Sequence, residues 1–271
     1  MMLYFSMLLS AAIAGGVPVV PKAPPVVTVH AKEYAYVAPK TVKAGATTFR
    51  LVNDGKELHH LTLVKLAKGK TLAEFAESMK KPGPMPSWAS PVGGPNPAAP
   101  GRAVEATVML EPGDYVMFCV IPSPGETMPH AMKGMMAPLT VLPGKSSGAM
   151  PTGDVTVTLS DYKFAFSTPL TAGKHIITVT NAAAQPHELV MLKLNSGKTA
   201  AEFDTFVEKD LMKGAPPAMP VGGLSFMDKG RTASFPVDLT PGNYAMICFV
   251  PDAKDGKSHA VHGMITQFAV K

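Results

Sequence analysis

Shifted by 128 residues, the first half of this chain falls on the second. Tyr34-Ala-Tyr36 followed by Ala44-Gly45 recurs as Tyr162-Lys-Phe164 followed by Ala172-Gly173. Asn53, five residues and His59 recur as Asn181, five residues and His187. Lys70-Thr-Leu-Ala-Glu-Phe75 returns as Lys198-Thr-Ala-Ala-Glu-Phe203. The offset then slips to 129, and Pro91-Val-Gly-Gly94 returns as Pro220-Val-Gly-Gly223, Leu110-Glu-Pro-Gly-Asp-Tyr115 as Leu239-Thr-Pro-Gly-Asn-Tyr244. A chain written twice folds as two like units. They are expected over residues 22–143 and 154–271, with the Gly/Ser/Pro-rich segment 144–153 as a flexible linker.

Within each copy the pattern is mainly strand. Thr48–Val52 and Asp154–Leu159 alternate apolar and polar side chains, as half-buried strands do. With 24 Gly and 27 Pro in 271 residues and no collagen-like period, many short elements joined by turns are expected. Pro-Gly-Asp at 112–114 and Pro-Gly-Asn at 241–243 read as turns. One helix interrupts each copy: Thr71-x-x-Glu74 and Thr199-x-x-Glu202 are capping boxes. Leu72, Phe75, Ala76 and Met79, and Phe203, Phe206, Val207 and Leu211, then share a face that would cover one side of a sheet. About seven strands per copy predict an all-β chain of two tandem Greek-key β-sandwiches, each with one short inserted helix.

Residues 1–21 form an N-terminal apolar segment. Met1–Val20 carry no charge, Leu3–Ile13 is an apolar run, and Ala12-Ile13-Ala14 before Gly15 reads as a signal-peptide cleavage site. An exported chain, periplasmic or secreted, is expected, with no stable membrane insertion beyond a possible anchor there. The net charge of +5 is no nucleic-acid footprint, because Lys and Arg are scattered without interleaved aromatics. Residues 22–143 hold 13 Lys/Arg against 9 Asp/Glu and residues 154–271 hold 11 of each, so an acidic partner would meet the first unit.

The two cysteines, Cys119 and Cys248, occupy matching positions near the ends of apolar strands. After each come ten residues, a His, four residues and a Met: His130 and Met135, His259 and Met264. Upstream, each copy has a His at the start of another strand, His59 or His187. A disulfide is possible in an exported chain, but equivalent positions in two separate sandwiches should be far apart. An inert core thiol is the other plain reading. Two imidazoles and a thiolate with an axial thioether are the blue-copper donor set, able to hold both Cu(I) and Cu(II). Zinc gains little from a thioether.

On these residues the chain resembles the cupredoxin superfamily, the plastocyanin/azurin-like blue-copper proteins, over about 26–142 and again 154–271. The order His…Cys…His…Met resembles that family's ligand pattern, although the loop from Cys to His is longer than in most small members. The resemblance implies copper ligands His59, Cys119, His130 and Met135 in the first unit, and His187, Cys248, His259 and Met264 in the second, with up to one copper each. It also implies that the second His reaches the surface through an apolar patch and passes electrons to a docked redox partner.

His59 and His60 face opposite ways on a strand, and Glu188 stands opposite His60 in the repeat, so His60 is expected in solvent. His262 competes with His259, but Lys133 matches His262 in the first copy, and consistency selects His259. His30 and His175 lack counterparts and are expected at the surface. Met109, Met117, Met191 and Met246 are expected in the core. Met128, His130, Met132, Met135 and Met136 form a loop rich in soft donors. That loop motivates the alternative of copper storage, delivery or resistance, in which the partner is a copper donor or acceptor. Catalysis is not expected: no His flanks either cysteine and no His-x-His occurs. A metal-free binding sandwich is the remaining alternative.

Overall fold

The computed structural model describes residues 22–81 and 83–271; the expected signal segment at 1–21 lies outside them. The first unit contains β1 (Val26–Lys32), β2 (Ala35–Val37), β3 (Thr41–Lys43), β4 (Gly45–Asn53), β5 (Thr62–Leu66), α1 (Leu72–Ser78), β6 (Ala89–Gly93), β7 (Ala103–Leu110), β8 (Gly113–Phe118) and β9 (Met136–Leu142). The second contains β10 (Val155–Ser160), β11 (Lys163–Phe166), β12 (Gly173–Asn181), β13 (His187–Leu194), α2 (Ala200–Glu208), β14 (Ala218–Met227), β15 (Thr232–Leu239), β16 (Gly242–Ile247) and β17 (Ile265–Val270).

The expected pair of sandwiches is present, and both of its layers run through both units. One sheet has the order β11-β10-β12-β15-β7-β4-β1-β2, the other β17-β16-β13-β14-β6-β5-β8-β9-β3. Parallel pairs β1 with β4, β3 with β9 and β10 with β12 come from long crossovers between otherwise antiparallel neighbours. Ala233 and Ser234 pair with Val108 and Thr107 in one layer, and Met227 pairs with Val92 in the other. The largest apolar cluster therefore spans both units, from Phe49, Leu51 and Leu63 to Val157, Leu189 and Phe235, with a smaller cluster under each helix. The segment 144–153 is accordingly not a free tether. Ser146 donates its N–H to Ala44 O and its hydroxyl to Ala46 O, and Ala149 N–H reaches Lys22 O.

Both capping boxes form as the sequence predicts, with Thr71 and Thr199 accepting from the N–H of Glu74 and Glu202. Phe75 anchors α1 edge-on against Phe118 and Trp88, at ring separations of 5.1 and 6.4 Å. Phe203 and Phe206 anchor α2. Leu211 does not extend that face: α2 stops at Glu208, and Leu211 and Met212 have φ of 49° and 57°, where a helix cannot continue. Met117, Met191 and Met246 are buried, but Met109 is 45% exposed because it lies on the outward face of β7.

The repeated Asn-x5-His has a mechanical explanation. Asn53 Nδ2 donates to Glu57 O and Ala98 O at 2.7 and 2.8 Å, and its Oδ1 accepts from Gly55 N–H. Asn181 does the same with Gln185 O, Met227 O and Ala183 N–H. Each buried amide folds the loop that delivers the following histidine. Asn53→Ala leaves two carbonyls and an N–H without these partners, so unfolding free energy should fall by about 2–3 kcal/mol. Urea denaturation measures that loss, and Asn181→Ala should match it.

Candidate metal centres

Each unit gathers three buried donors at one end of its sandwich. The ligand atoms of His59, Cys119 and His130 lie within 4.8 Å of one another, as do those of His187, Cys248 and His259. Cys119 Sγ stands 3.6 Å from His130 Nδ1. Cys248 Sγ stands 3.7 Å from His187 Nδ1 and 3.4 Å from His259 Nδ1. Both cysteines are free and buried, which removes the disulfide alternative.

The backbone fixes these positions in the same way twice. Cys119 follows β8, and His130 opens a short 3₁₀ turn, His130–Lys133. Cys119 N–H donates to Met135 O, Ala131 N–H to Cys119 O, and Met135 N–H to His130 O, at 3.3, 2.7 and 3.0 Å. In the second unit Cys248, Met264, Ala260 and His259 repeat the set at 3.2, 2.9 and 2.9 Å. The ten-residue loop therefore closes on itself, with a bridge between Pro122 and Pro129 in one copy and Pro251 and Ser258 in the other. Met135 and Met264 are wholly buried beside it. His262 stays outside the group. Its Nε2 reaches Asp255 Oδ1 at 3.1 Å and its ring lies against Tyr162.

The electrostatics suit a cation. Burial holds the imidazoles below their ordinary range, His259 at about 4, so all four are neutral donors at neutral pH. His130 lowers His59 further, and His187 lowers His259. Burial pushes the Cys119 thiol up to about 12 and raises Cys248 as well. A thiolate here requires a positive charge beside it. The test of fit is the unsatisfied nitrogen. His59 Nδ1 and Nε2 are buried without a hydrogen-bond partner, and Nδ1 of His130, of His187 and of His259 meets only the cysteine sulfur. Glu33 Oε1, 3.5 Å from His59 Nε2, is too distant to supply a good one. A bound metal satisfies such atoms, and His₂Cys beside a buried thioether is the donor set for copper.

The imidazole edges are not at the surface. His130 and His259 are both 0% exposed, which corrects the expected exit through an apolar patch. Polar side chains roof each site. His130 Nε2 meets Glu57 Oε2 at 2.8 Å, with the Tyr34 ring 4.9 Å away and Lys133 Nζ over that ring. In the second unit His187 Nε2 meets Asp161 Oδ1 at 3.1 Å, and the Tyr162 ring flanks His259 while its hydroxyl donates to Asp252. Carboxylates on the far ring nitrogen fix tautomer and orientation. The repeated Tyr34 and Tyr162 carried a sequence signal for this role; Glu57, Asp161 and Asp252 carried none.

His60 is also corrected, being buried rather than solvated. Burial lowers it to about 3, and its partners are Asn96 and the amide of Val120. Glu188, its counterpart, is buried too and is pushed up to about 7. His30 is an exposed partner of Asp54, whereas His175 is largely covered and held by Asp154. The soft-donor loop is divided: Met128 is exposed, Met135 is buried, and Met136 packs beneath α1.

No protein-family model matches the chain, and no curated protein matches it. Among solved structures, auracyanin from Roseiflexus castenholzii is 22% identical, covering 45% of this chain and 98% of its own, at a TM-score of 0.30. A Cu-containing nitrite reductase from Thermus scotoductus SA-01 is 12% identical over 92% of this chain and 62% of its own, at 0.25. The copper nitrite reductase of Nitrosomonas europaea is 16% identical over 92% of this chain and 94% of its own, at 0.27. The likeness concerns fold alone. It corrects the expectation of a non-catalytic chain, because enzymes, a multicopper oxidase among them, are matched along nine-tenths of its length. The sequence neighbours of each cysteine do not show which side chains of the two units meet across their junction, as Asn96 and Glu188 do. Two layers shared by both units, with a His/Cys/His group in each that could hold copper, make this a β-sandwich chain with two candidate metal centres.

Proposed function

We propose that the chain is an exported type 1 copper protein that carries electrons, with one copper in each unit. Units of 22–143 and 154–271 joined by 144–153 fit this reading. The observation that supports it best is that the imidazole nitrogens facing each buried thiol have no partner but the sulfur, while His59 has none at all. His59, Cys119, His130 and Met135 would hold one copper, and His187, Cys248, His259 and Met264 the other. Copper bound there supplies a one-electron couple between Cu(I) and Cu(II).

The side chains do the rest. The closed Cys-to-Met loop holds thiol and thioether on one rigid frame, so little movement accompanies a change of oxidation state. Glu57 and Asp161 orient their imidazoles, and Glu188 N–H approaches Cys248 Sγ at 3.5 Å, a contact that stabilises thiolate charge. A redox partner protein would meet the polar roofs of Tyr34, Glu57 and Lys133, or of Tyr162 and Asp161. Periplasmic or secreted placement accords with the apolar segment at 1–21; among the described residues no helix is long and apolar enough to cross a membrane. Burial of Met135 and packing of Met136 take two soft donors out of the loop that motivates the storage reading. Protein-film voltammetry tests the carrier reading. Fast, reversible one-electron waves are expected, and slow or irreversible cycling of copper-loaded protein would favour storage or delivery instead.

A further inference from the structure

Between the two metal groups lies a buried chain of polar side chains. Val120, next to Cys119, donates its N–H to His60 Nε2 at 2.9 Å. Because Nε2 accepts, the ring proton sits on Nδ1, which faces Asn96 Oδ1 at 3.2 Å. Asn96 Nδ2 crosses the junction and donates to Glu188 Oε2 at 2.9 Å. Glu188 Oε1 accepts the N–H of Phe249, next to Cys248, also at 2.9 Å. Four hydrogen bonds thus join the backbone beside one thiol to the backbone beside the other, and every donor and acceptor along them agrees in sense.

Two features separate this chain from ordinary packing. His60, Asn96 and Glu188 are 1%, 2% and 6% exposed, and burying such groups is less favourable than burying apolar ones of equal volume. Two breaks in the repeat fall within the link. Glu188 replaces His60, and Ser225 stands where Asn96 would recur, so one amide spans the pseudo-symmetric junction. Ser225 hydroxyl, by contrast, donates to Leu61 O and belongs to no such series.

The geometry points to a second activity: electron transfer within the chain, from one copper group to the other, through His60, Asn96 and Glu188. It rests on the reading that both units hold copper. One electron leaves a reduced site, which becomes Cu(II), and enters the other, which becomes Cu(I); no bond is made or broken and no external oxidant is needed. A partner at one roof then exchanges electrons with a different partner at the other.

The experiment uses the full chain carrying Met264→Gln. An altered axial donor separates the two absorption bands and sets their potentials apart. A pulse of carbon dioxide radical anion, a one-electron reductant, delivers less than one electron per chain. Expected is a second phase, independent of protein concentration, in which one band recovers as the other bleaches. Asn96→Leu should slow it at least tenfold with two coppers still bound per chain, and Asn96→Ala serves if leucine prevents folding. Ser225→Ala, which perturbs the same junction outside the link, should leave the rate unchanged. Unchanged rates in both Asn96 variants, or no second phase in a chain holding two coppers, would overturn the link alone. A chain that takes up fewer than two coppers overturns the copper reading and this inference with it.

Discussion

Cys119→Ala should remove one of two copper equivalents and about half of the thiolate-to-copper absorption, and Cys248→Ala should remove the other half. The sulfur is the sole anionic donor in either group. Without it, two neutral imidazoles and a thioether would face a divalent cation in an interior that cannot compensate the charge. The cost to the metal-free fold should be small, on the order of 1 kcal/mol, because Cys to Ala removes little volume. The cost to the loaded protein should be larger. Copper at a hundred times its Kd adds about 2.7 kcal/mol for each occupied site. Thermal melts with and without copper measure the difference, which should be halved in either single variant and absent in the double variant.

Gly94→Ala and Gly223→Ala should be the most destabilising single substitutions that touch no donor, each costing more than about 3 kcal/mol. A Cβ on Gly94 would lie 2.0 Å from Leu61 O, and on Gly223 2.0 Å from Leu189 O. Both glycines have φ in the positive region, at 153° and 137°. The obstructing atoms are backbone and cannot turn aside. These glycines also carry the junction, since Ser225 N–H donates to Gly94 O and Asn96 O lies 2.9 Å from the Cβ position on Gly223. Gly69→Ala and Gly197→Ala are the controls. Their φ values are also positive, but nothing approaches within 4 Å, so about 1–2 kcal/mol is expected. Urea midpoints for the four variants separate backbone conformation from collision. Equal losses in both pairs would refute the steric account.

The same Pro-Val-Gly-Gly pair shows what is legible in the sequence. Repetition alone marks 91–94 and 220–223 as special, and the backbone carbonyls pressed against both glycines supply the reason. Repetition also locates the helix caps and the Asn-x5-His loops, because two copies under one physical constraint retain the same residue. What it does not reveal lies where the copies meet. Strand alternation tells which face a side chain occupies, not what covers that face. Alternation therefore sends His60 to solvent, although its face is covered by Asn96 and the neighbouring unit. Continuity of the two sheets, docking of 144–153 and burial of His130 and His259 beneath polar side chains are hidden for the same reason. Each depends on contacts between segments far apart in sequence, and no local period records them. Leu211 departs from its expected face through a local effect: a backbone turn at positive φ ends the face that apolar spacing alone would extend.

In the proposed carrier each unit holds one copper through a thiolate. Titrating the metal-free protein with Cu(II) while recording visible absorption and bound metal tests it most directly. An intense charge-transfer band rising linearly to two equivalents and then stopping is the predicted result. A colourless protein that retains no copper would contradict it.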